Sequence, residues 1–131
     1  MKKTAFITLC TLACGGYCIP ALALNALETR QLLALDPQTR IEQRCDIEAM
    51  DRINKETKWR TDKVLAYAYS DPIISGKRIQ ANGAAFRARG NWYHLSYDCR
   101  TEEDRIKVIS FTYKTGSLIP HAEWDRHYLV P

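Results

Sequence analysis

Apolar residues recur every four positions between Ile41 and Ile53, with Cys45 and Ala49 between them. This spacing places all four residues on one face of a helix. An Asp-Pro pair at 36–37 is typical of a helix start, with aspartate as the N-cap and proline at the first helical position. The pattern therefore predicts a helix of about 18 to 20 residues that has one buried stripe containing Cys45.

Beyond residue 60 the helical spacing gives way to alternation, and segments rich in strand-forming residues are separated by turn signals such as Asn82-Gly83 and Gly90-Asn91. The predicted strands are Val64–Tyr69, Lys77–Ala81, Ala84–Arg89, Trp92–Arg100 and Arg105–Tyr113, and a short helix is expected to follow Pro120. The sequence thus predicts an α+β fold, with a long N-terminal helix packed on an antiparallel meander sheet of about five strands and a short C-terminal helix.

Alternation along the segment 92–100 assigns its side chains to two faces. Because Cys99 must meet a cysteine on the long helix if the two are bonded, the face that carries it is taken as the core face. The core face then holds Tyr93, Leu95, Tyr97 and Cys99, and the opposite face holds Trp92, His94, Ser96 and Asp98. By the same alternation, Arg87 and Arg89 are expected to point outward, opposite Phe86 and Ala88.

The N-terminus resembles an export signal. Two lysines precede the apolar run 5–13, and Ala21-Leu22-Ala23 is a small-x-small site suited to signal peptidase. We therefore expect residues 1–23 to be a cleaved signal peptide and residues 24–131 to form a single small domain. The alternative is a lipoprotein anchored at Cys14, but Thr11 stands where a lipobox has leucine, and the sequence favours cleavage after Ala23.

Cleavage at that site would leave only two of the five cysteines, Cys45 and Cys99. An even pair in an exported chain indicates a disulfide bond. No C-x-x-C motif is present and two thiols do not make a zinc site, so no metal is expected at this pair. The predicted mature chain has 17 basic and 15 acidic residues, because Lys2 and Lys3 leave from a total of 19 basic residues. A balance this near zero argues against nucleic-acid binding.

One group of side chains suggests a binding surface: Arg87, Arg89, Trp92 and His94. Arginine forks bind carboxylates or phosphates through paired hydrogen bonds. A neighbouring exposed tryptophan would supply the apolar anchor that is common in binding hot spots. The competing interpretation is a solvated sheet face with a partly covered Trp92.

Enzyme chemistry has less support. Four residues along a strand separate His94 from Asp98 by roughly 13 Å, too far for a base and its orienting partner. Ser96 has no nucleophile-elbow context. His121 and His127 are six residues apart, which is a poor spacing for a metal pair on a helix. We assign no catalytic residue, cofactor or metal ligand.

Three segments carry a family resemblance: "LALDPQTRIEQRCDIEAMDRI", "AYSDPIISGKRIQANGAAFRARGNWYHLSYDC" and "ISFTYKTGSLIPHAEWDRHYL". They resemble the short exported alphaproteobacterial proteins catalogued as domain of unknown function 930. The resemblance covers about residues 32–129, and both cysteines and the glycine turns stand where that family has them. It implies a periplasmic envelope protein and brings no activity, cofactor or catalytic residue with it.

The function expected from these observations is a non-enzymatic periplasmic binding or accessory module. It would contact an anionic envelope component or a protein partner through the outer sheet face. An alternative is an inhibitor of a cell-wall lytic hydrolase, with the segment 70–77 ("SDPIISGK") as its wedge. A second alternative is a small hydrolase, which would need two of His94, Ser96, Asp98 and His121 within hydrogen-bond reach.

Overall fold

The computed structural model describes residues 24–131. The predicted signal peptide, its cleavage site and the Cys14 alternative lie outside the described residues. The elements in chain order are α1 (Ala26–Leu33), α2 (Pro37–Glu56), β1 (Thr61–Leu65), β2 (Ile73–Ser75), β3 (Arg78–Ala88), β4 (Asn91–Thr101), β5 (Val108–Leu118) and two 3₁₀ turns, η1 (His121–Glu123) and η2 (Asp125–His127). Two helices and a five-stranded antiparallel sheet confirm the predicted α+β class. Within this range, no helix is both long and apolar enough to cross a membrane.

Both helices begin with side-chain caps. Asn25 and Glu28 form a capping box at the start of α1, in which each side chain bonds the backbone N–H of the other. At the start of α2, the Asp36 carboxylate accepts hydrogen bonds from two backbone N–H groups, and Pro37 takes the first helical position, as predicted. α2 spans 20 residues, in agreement with the length expected from the apolar spacing.

The strand boundaries differ from the prediction at four places. The predicted turn at 82–83 is an irregularity within the continuous strand β3, which pairs with β4 on both sides of it. A Cβ on Gly83 would lie 2.6 Å from the Ser70 backbone nitrogen, so the loop after β1 crosses β3 at a residue without a side chain. β1 begins and ends earlier than expected, Ile73–Ser75 forms an additional strand, and β5 begins at Val108 instead of Arg105 and continues to Leu118.

The sheet order is β1-β3-β4-β5, and β2 pairs with the first residues of β3. α2 packs on the inner face of the sheet, where its apolar stripe contacts apolar side chains of β1, β3, β4 and β5. Cys45 on α2 and Cys99 on β4 are both fully buried, their Cα atoms are 6.2 Å apart, and their disulfide bond confirms the prediction. The inner core therefore matches the arrangement inferred from the sequence.

A second core lies on the outer face, over the end of the sheet where β3 turns into β4. The segment after β5 crosses this face and buries Ile119, Trp124 and Leu129 against Trp92 and the small side chains below it. The segment consists of the turns η1 and η2, and the short C-terminal helix that we expected is two 3₁₀ turns instead. The sheet is thus covered on both faces at this end.

Candidate anion-binding site

Trp92 does not form part of an exposed surface. It lies on the outer face, as the alternation predicts, but its exposed fraction is 0%. Its indole Nε1 donates a 2.8 Å hydrogen bond to the backbone oxygen of Val130, and Ile119 donates from its backbone to the Trp92 carbonyl. The expectation of an exposed Trp92 was wrong, because the C-terminal segment brings its own apolar side chains to this face.

Arg87 lies beside Trp92 on the same face, 5.8 Å from the indole ring, so the structure does bring these two residues together. Its guanidinium forms a paired ion pair with Asp62 at 2.9 and 3.0 Å and donates to the backbone oxygen of Pro131 at 2.8 Å. Hydrogen bonding to Arg87 lowers the pKa of the Asp62 carboxyl. The donors of Arg87 are therefore engaged within the chain, and its role here is to hold the C-terminal segment against β1.

His94 is partly buried on the outer face and belongs to an aromatic stack. Its ring centroid lies 4.6 Å from that of Tyr69, and the Tyr69 ring also stacks on His127 with centroids 3.7 Å apart. The Tyr69 hydroxyl donates to Glu123 at 2.7 Å, and burial together with this hydrogen bond raises the pKa of Tyr69 to about 12. His94 thus contributes to docking the loop after β1 and the C-terminal segment.

Arg89 does not share a strand face with Arg87, contrary to our expectation. β3 ends at Ala88, and Arg89 with Gly90 forms the two-residue turn into β4. Both turn residues are in the left-handed region, with φ of 52° and 78°, which is the type I′ arrangement. Type I′ turns favour Asn-Gly, so an arginine at the first position is strained. The turn directs Arg89 away from the outer face and towards the end of α2, where its guanidinium donates to the Lys58 backbone oxygen at 3.1 Å.

An open cleft of about 580 Å³ lies at this position. Three chain segments meet in it: the end of α2 with the connection that follows, the first residue of β1, and the β3–β4 turn. Its lining residues are Asn54, Thr57, Lys58, Arg60, Thr61 and Arg89. We call this the basic cleft, because its charged lining residues are all cationic.

The three cations of the basic cleft, Lys58, Arg60 and Arg89, are exposed. Among residues 24–131, no carboxylate lies within ion-pair distance of them, whereas Arg52, Arg78 and Arg87 each have an acidic partner. Arg60, like Arg89, adopts a left-handed backbone conformation, with φ of 55°. Strained conformations of residues other than glycine concentrate at functional sites.

The floor of the basic cleft contains an unsatisfied polar atom. Thr61 is 5% exposed, and its buried hydroxyl has no hydrogen-bond partner within the described residues. The backbone around it is held firmly, since the Asn54 side chain bonds both the N–H and the carbonyl of Thr61. Buried hydroxyls are ordinarily bonded, so an unpartnered one directly beneath the cleft is unusual.

A structural explanation competes with ligand binding. The basic cleft lies at the C-terminal end of α2, where the helix dipole attracts cations, at about 0.3 to 1 kcal/mol each. However, neither Lys58 nor Arg60 donates a side-chain hydrogen bond to a carbonyl of α2, and the carbonyl of Ile53 in the last turn is capped by Thr57 instead. Helix capping therefore explains the position of these cations only in part.

The family assignment is clear. The family model described as Domain of Unknown Function (DUF930) matches residues 32–129, which is more than half of the 131 residues. The chain belongs to the DUF930 family. No curated protein and no solved structure is significantly similar to it. The matched range includes both cysteines, the helix α2, all five strands and every residue of the basic cleft.

Two further sets of residues in this DUF930 protein bear on catalysis and metal binding. No hydrogen bond in the described range joins any two of His94, Ser96, Asp98 and His121, and Asp98 is instead engaged by Arg78 through two bonds. The hydrolase hypothesis therefore has no supporting contact. No group of three or more histidine, cysteine or acidic side chains is placed to hold a metal ion within residues 24–131.

One buried acid stands out on the inner face. Asp46 on α2 is 9% exposed and accepts a 2.8 Å hydrogen bond from the Tyr97 hydroxyl. Burial raises the pKa of Asp46 to about 7, and the nearby charge of Glu42 acts in the same direction. Burial also raises the pKa of Tyr97. This pair lies next to the disulfide bond, in the helix–sheet interface, and we treat it as structural.

The sequence prediction missed Lys58 and Arg60. A signal was present, since "TKWR" places two cations either side of Trp59 directly after a predicted helix. Alternation alone could not identify them, because they lie in a connection between elements. The prediction chose Arg89 as an anion-binding arginine but placed it on the outer sheet face, whereas it lies near the end of α2.

Proposed function

We propose that this DUF930 protein is a non-enzymatic binding module of the cell envelope that holds an anionic group in the basic cleft. The observation that carries the proposal is the convergence of three exposed cations, none with a carboxylate partner among residues 24–131, on one open cleft. Guanidinium and ammonium groups recognise carboxylates and phosphates, and hydroxyl and amide groups complete the coordination of their oxygens. The proposal keeps the ligand class expected from the sequence and moves the surface from the outer sheet face to the end of α2.

The size of the cleft supports a ligand larger than a simple ion. A volume of about 580 Å³ falls within the range of about 300 to 1,000 Å³ that is typical of small-molecule sites. Its open shape suits a charged group presented at the end of, or along, a larger molecule. An envelope polymer or lipid that bears carboxylates or phosphates meets this description.

The test uses two substitutions that fit the local backbone. Asparagine tolerates left-handed φ values, so Arg60→Asn and Arg89→Asn remove a cation without adding strain. We expect each variant to bind inorganic phosphate or galacturonate about tenfold more weakly, as measured by NMR titration of the residue 54–61 amides. The affinity of the wild type should fall as salt is added.

Arg100→Asn is the matched control. Arg100 is exposed and lies at the opposite end of β4, ten residues from Gly90 of the β3–β4 turn, so the variant loses the same charge far from the cleft. It should bind as the wild type does. Equal affinity of all four proteins would contradict the proposal, and lower stability of the cleft variants with unchanged binding would indicate that the cations serve only the helix end.

The proposed location is the periplasm. The supporting observation is the Cys45–Cys99 disulfide bond, since such bonds persist in oxidising compartments. Cell fractionation followed by mass measurement of the intact protein tests this part. We expect a periplasmic chain that begins at Leu24 and is lighter by two hydrogens than its reduced form. A full-length chain in the cytoplasm would overturn it.

The inhibitor alternative gains no specific support. Ile73, Ile74 and Ser75 within the expected wedge are paired in register with residues 78–80 of β3, so this segment is a short hairpin rather than a protruding loop. Its most exposed apolar side chain is Ile73, at 59%. We therefore prefer the anion-binding function.

A further inference from the structure

A second exposed feature lies just after the end of β1, where the C-terminal segment meets the loop that follows this strand. Tyr67 and Tyr128 are 39% and 68% exposed, and their rings meet edge-on with centroids 6.0 Å apart. Val130, which is 47% exposed, lies two residues beyond Tyr128. We call Tyr67, Tyr128 and Val130 the tyrosine corner patch. They account for three of the eight large apolar side chains that are exposed in the described range.

The backbone at Tyr128 is strained. Its φ of 60° lies in the left-handed region, which bulky side chains rarely adopt. Asparagine or glycine would adopt the same conformation more easily. The Tyr128 ring is exposed, so burial of the ring does not offset the strain. The molecule thus keeps a tyrosine at a position where local stability favours another residue, and that tyrosine projects into solvent.

The tyrosine corner patch is connected to the basic cleft by contacts along β1. The backbone oxygens of Val130 and Pro131 lie on Arg87, and Arg87 pairs with Asp62, which is the neighbour of the cleft residue Thr61. From Thr61 to Tyr67 the chain advances six residues, or at most roughly 20 Å at about 3.3 Å per residue. The two features are therefore linked through Arg87 and Asp62, and we call them together the stripe, with cations at one end and aromatic rings at the other.

We propose that this stripe binds an acidic polysaccharide chain, with an acidic group in the basic cleft and a sugar ring against Tyr67 and Tyr128. The inference rests on the proposed function, because it takes the cleft as the anchor of the charged group. A pyranose ring presents an apolar face of C–H groups and a polar rim of hydroxyls. A tyrosine matches this with a flat apolar ring and a polar tip, and its side chain loses little rotational freedom on binding.

A protein partner fits this surface less well. A standard protein interface uses about 20 to 30 residues on each side, whereas the tyrosine corner patch has three side chains. The stripe consists of two separate sites, which suits a chain-like ligand that reaches both. Asp62 lies between the two sites and is paired with Arg87, which reduces its repulsion of an anionic chain.

The experiment compares galacturonate with oligogalacturonates of increasing length, by calorimetry on the mature, disulfide-bonded protein. Tyr128→Asn removes the ring and relieves the backbone strain, so it should fold at least as well as the wild type. We expect it to bind long oligomers about tenfold more weakly, while its affinity for the monosaccharide is unchanged. Tyr128→Phe should retain most of the affinity for long oligomers, since it keeps the ring.

Two controls separate this inference from the function on which it rests. Ile73→Ser removes an apolar side chain of similar exposure from β2, which pairs with the first residues of β3, and should change no affinity. Arg60→Asn should weaken binding of both the monosaccharide and the oligomers. If Arg60→Asn has this effect but Tyr128→Asn binds every length as the wild type does, the cleft stands and the polysaccharide inference is overturned. If the wild type binds neither galacturonate nor phosphate, both proposals fail.

Discussion

The two faces of the sheet are covered in different ways. On the inner face, a 20-residue helix packs against the strands and is joined to them by the Cys45–Cys99 bond. On the outer face, a segment with only two 3₁₀ turns covers Trp92 at one end of the sheet, and the other end remains polar, with Arg78 and Asp98 paired in partial exposure. The inner layer is a regular helix with a periodic apolar stripe, whereas the outer layer is an irregular C-terminal segment that packs through a few separate apolar side chains.

This difference shows what alternation along a strand can and cannot establish. Period two tells which side chains share a face. It does not tell whether another part of the chain covers that face. Trp92 and His94 are on the same face, yet one is fully buried and the other partly buried beside Tyr69, since the coverage depends on where the C-terminal segment lies.

The largest effect is expected for Trp92. Trp92→Ala should lower the free energy of unfolding by about 3 to 5 kcal/mol, because it removes a fully buried ring and the hydrogen bond to Val130. Urea denaturation measures the change. Leu118→Ala, at a side chain that is 54% exposed, should alter stability by less than about 0.5 kcal/mol. If Trp92→Ala lowered the free energy of unfolding as little as Leu118→Ala does, the outer face would have no core of its own.

The inner face has a comparable test in its covalent bond. The Cys45→Ala, Cys99→Ala double variant should lose about 2 to 5 kcal/mol, because the reduced chain no longer carries a closed loop of 54 residues when unfolded. Thermal unfolding of the variant and of the reduced wild type measures it. The two should agree, and a variant as stable as the oxidised protein would mean that α2 packing alone secures the inner layer.

Asp46 makes the inner face sensitive to pH. Its pKa in the folded protein is raised to about 7, so the folded state holds a proton that the unfolded state releases near its ordinary pKa of about 4. The contribution to stability is complete below that lower value and is lost as pH rises through about 7. Wild-type stability should therefore fall across this interval, by an amount on the order of a few kcal/mol from this group.

Asp46→Asn isolates the effect, because an amide oxygen can still accept the Tyr97 hydrogen bond. The difference in unfolding free energy between the variant and the wild type should grow with pH in favour of the variant. Urea titrations at several pH values measure it. A difference that is independent of pH would mean that Asp46 does not titrate in this range.

The smallest effect is expected for the ion pair between Arg87 and Asp62, beside the C-terminal segment. The coupling between Arg87 and Asp62, from a cycle of Arg87→Ala, Asp62→Ala and the double variant, should be about 1 kcal/mol or less, since the Asp62 side chain is 59% exposed. It should diminish further at high salt. A coupling as large as the Trp92 effect would show that the ion pair, rather than apolar packing, secures the outer layer.

Part of the site was accessible from the sequence. Arg89 was selected because arginine forks bind anions and because alternation was expected to place it on the outer face with Arg87, and the nearby turn was recognised from Gly90-Asn91. Lys58 and Arg60 were overlooked because they belong to a connection, where no periodic pattern applies. The cleft exists only because β3–β4 pairing returns Arg89 to the end of α2, 31 residues away from Lys58 along the chain.

The sequence by itself determined the local and periodic features of this protein. The caps at Asn25 and Asp36, the length of α2 and the inward direction of both cysteines follow from side-chain chemistry and spacing of neighbouring residues. Only the tertiary structure decided that Asn82-Gly83 lies within a strand, that Trp92 is buried and that the basic cleft forms. Each of these depends on contacts between residues far apart in the chain, and local propensity and alternation contain no information about such contacts.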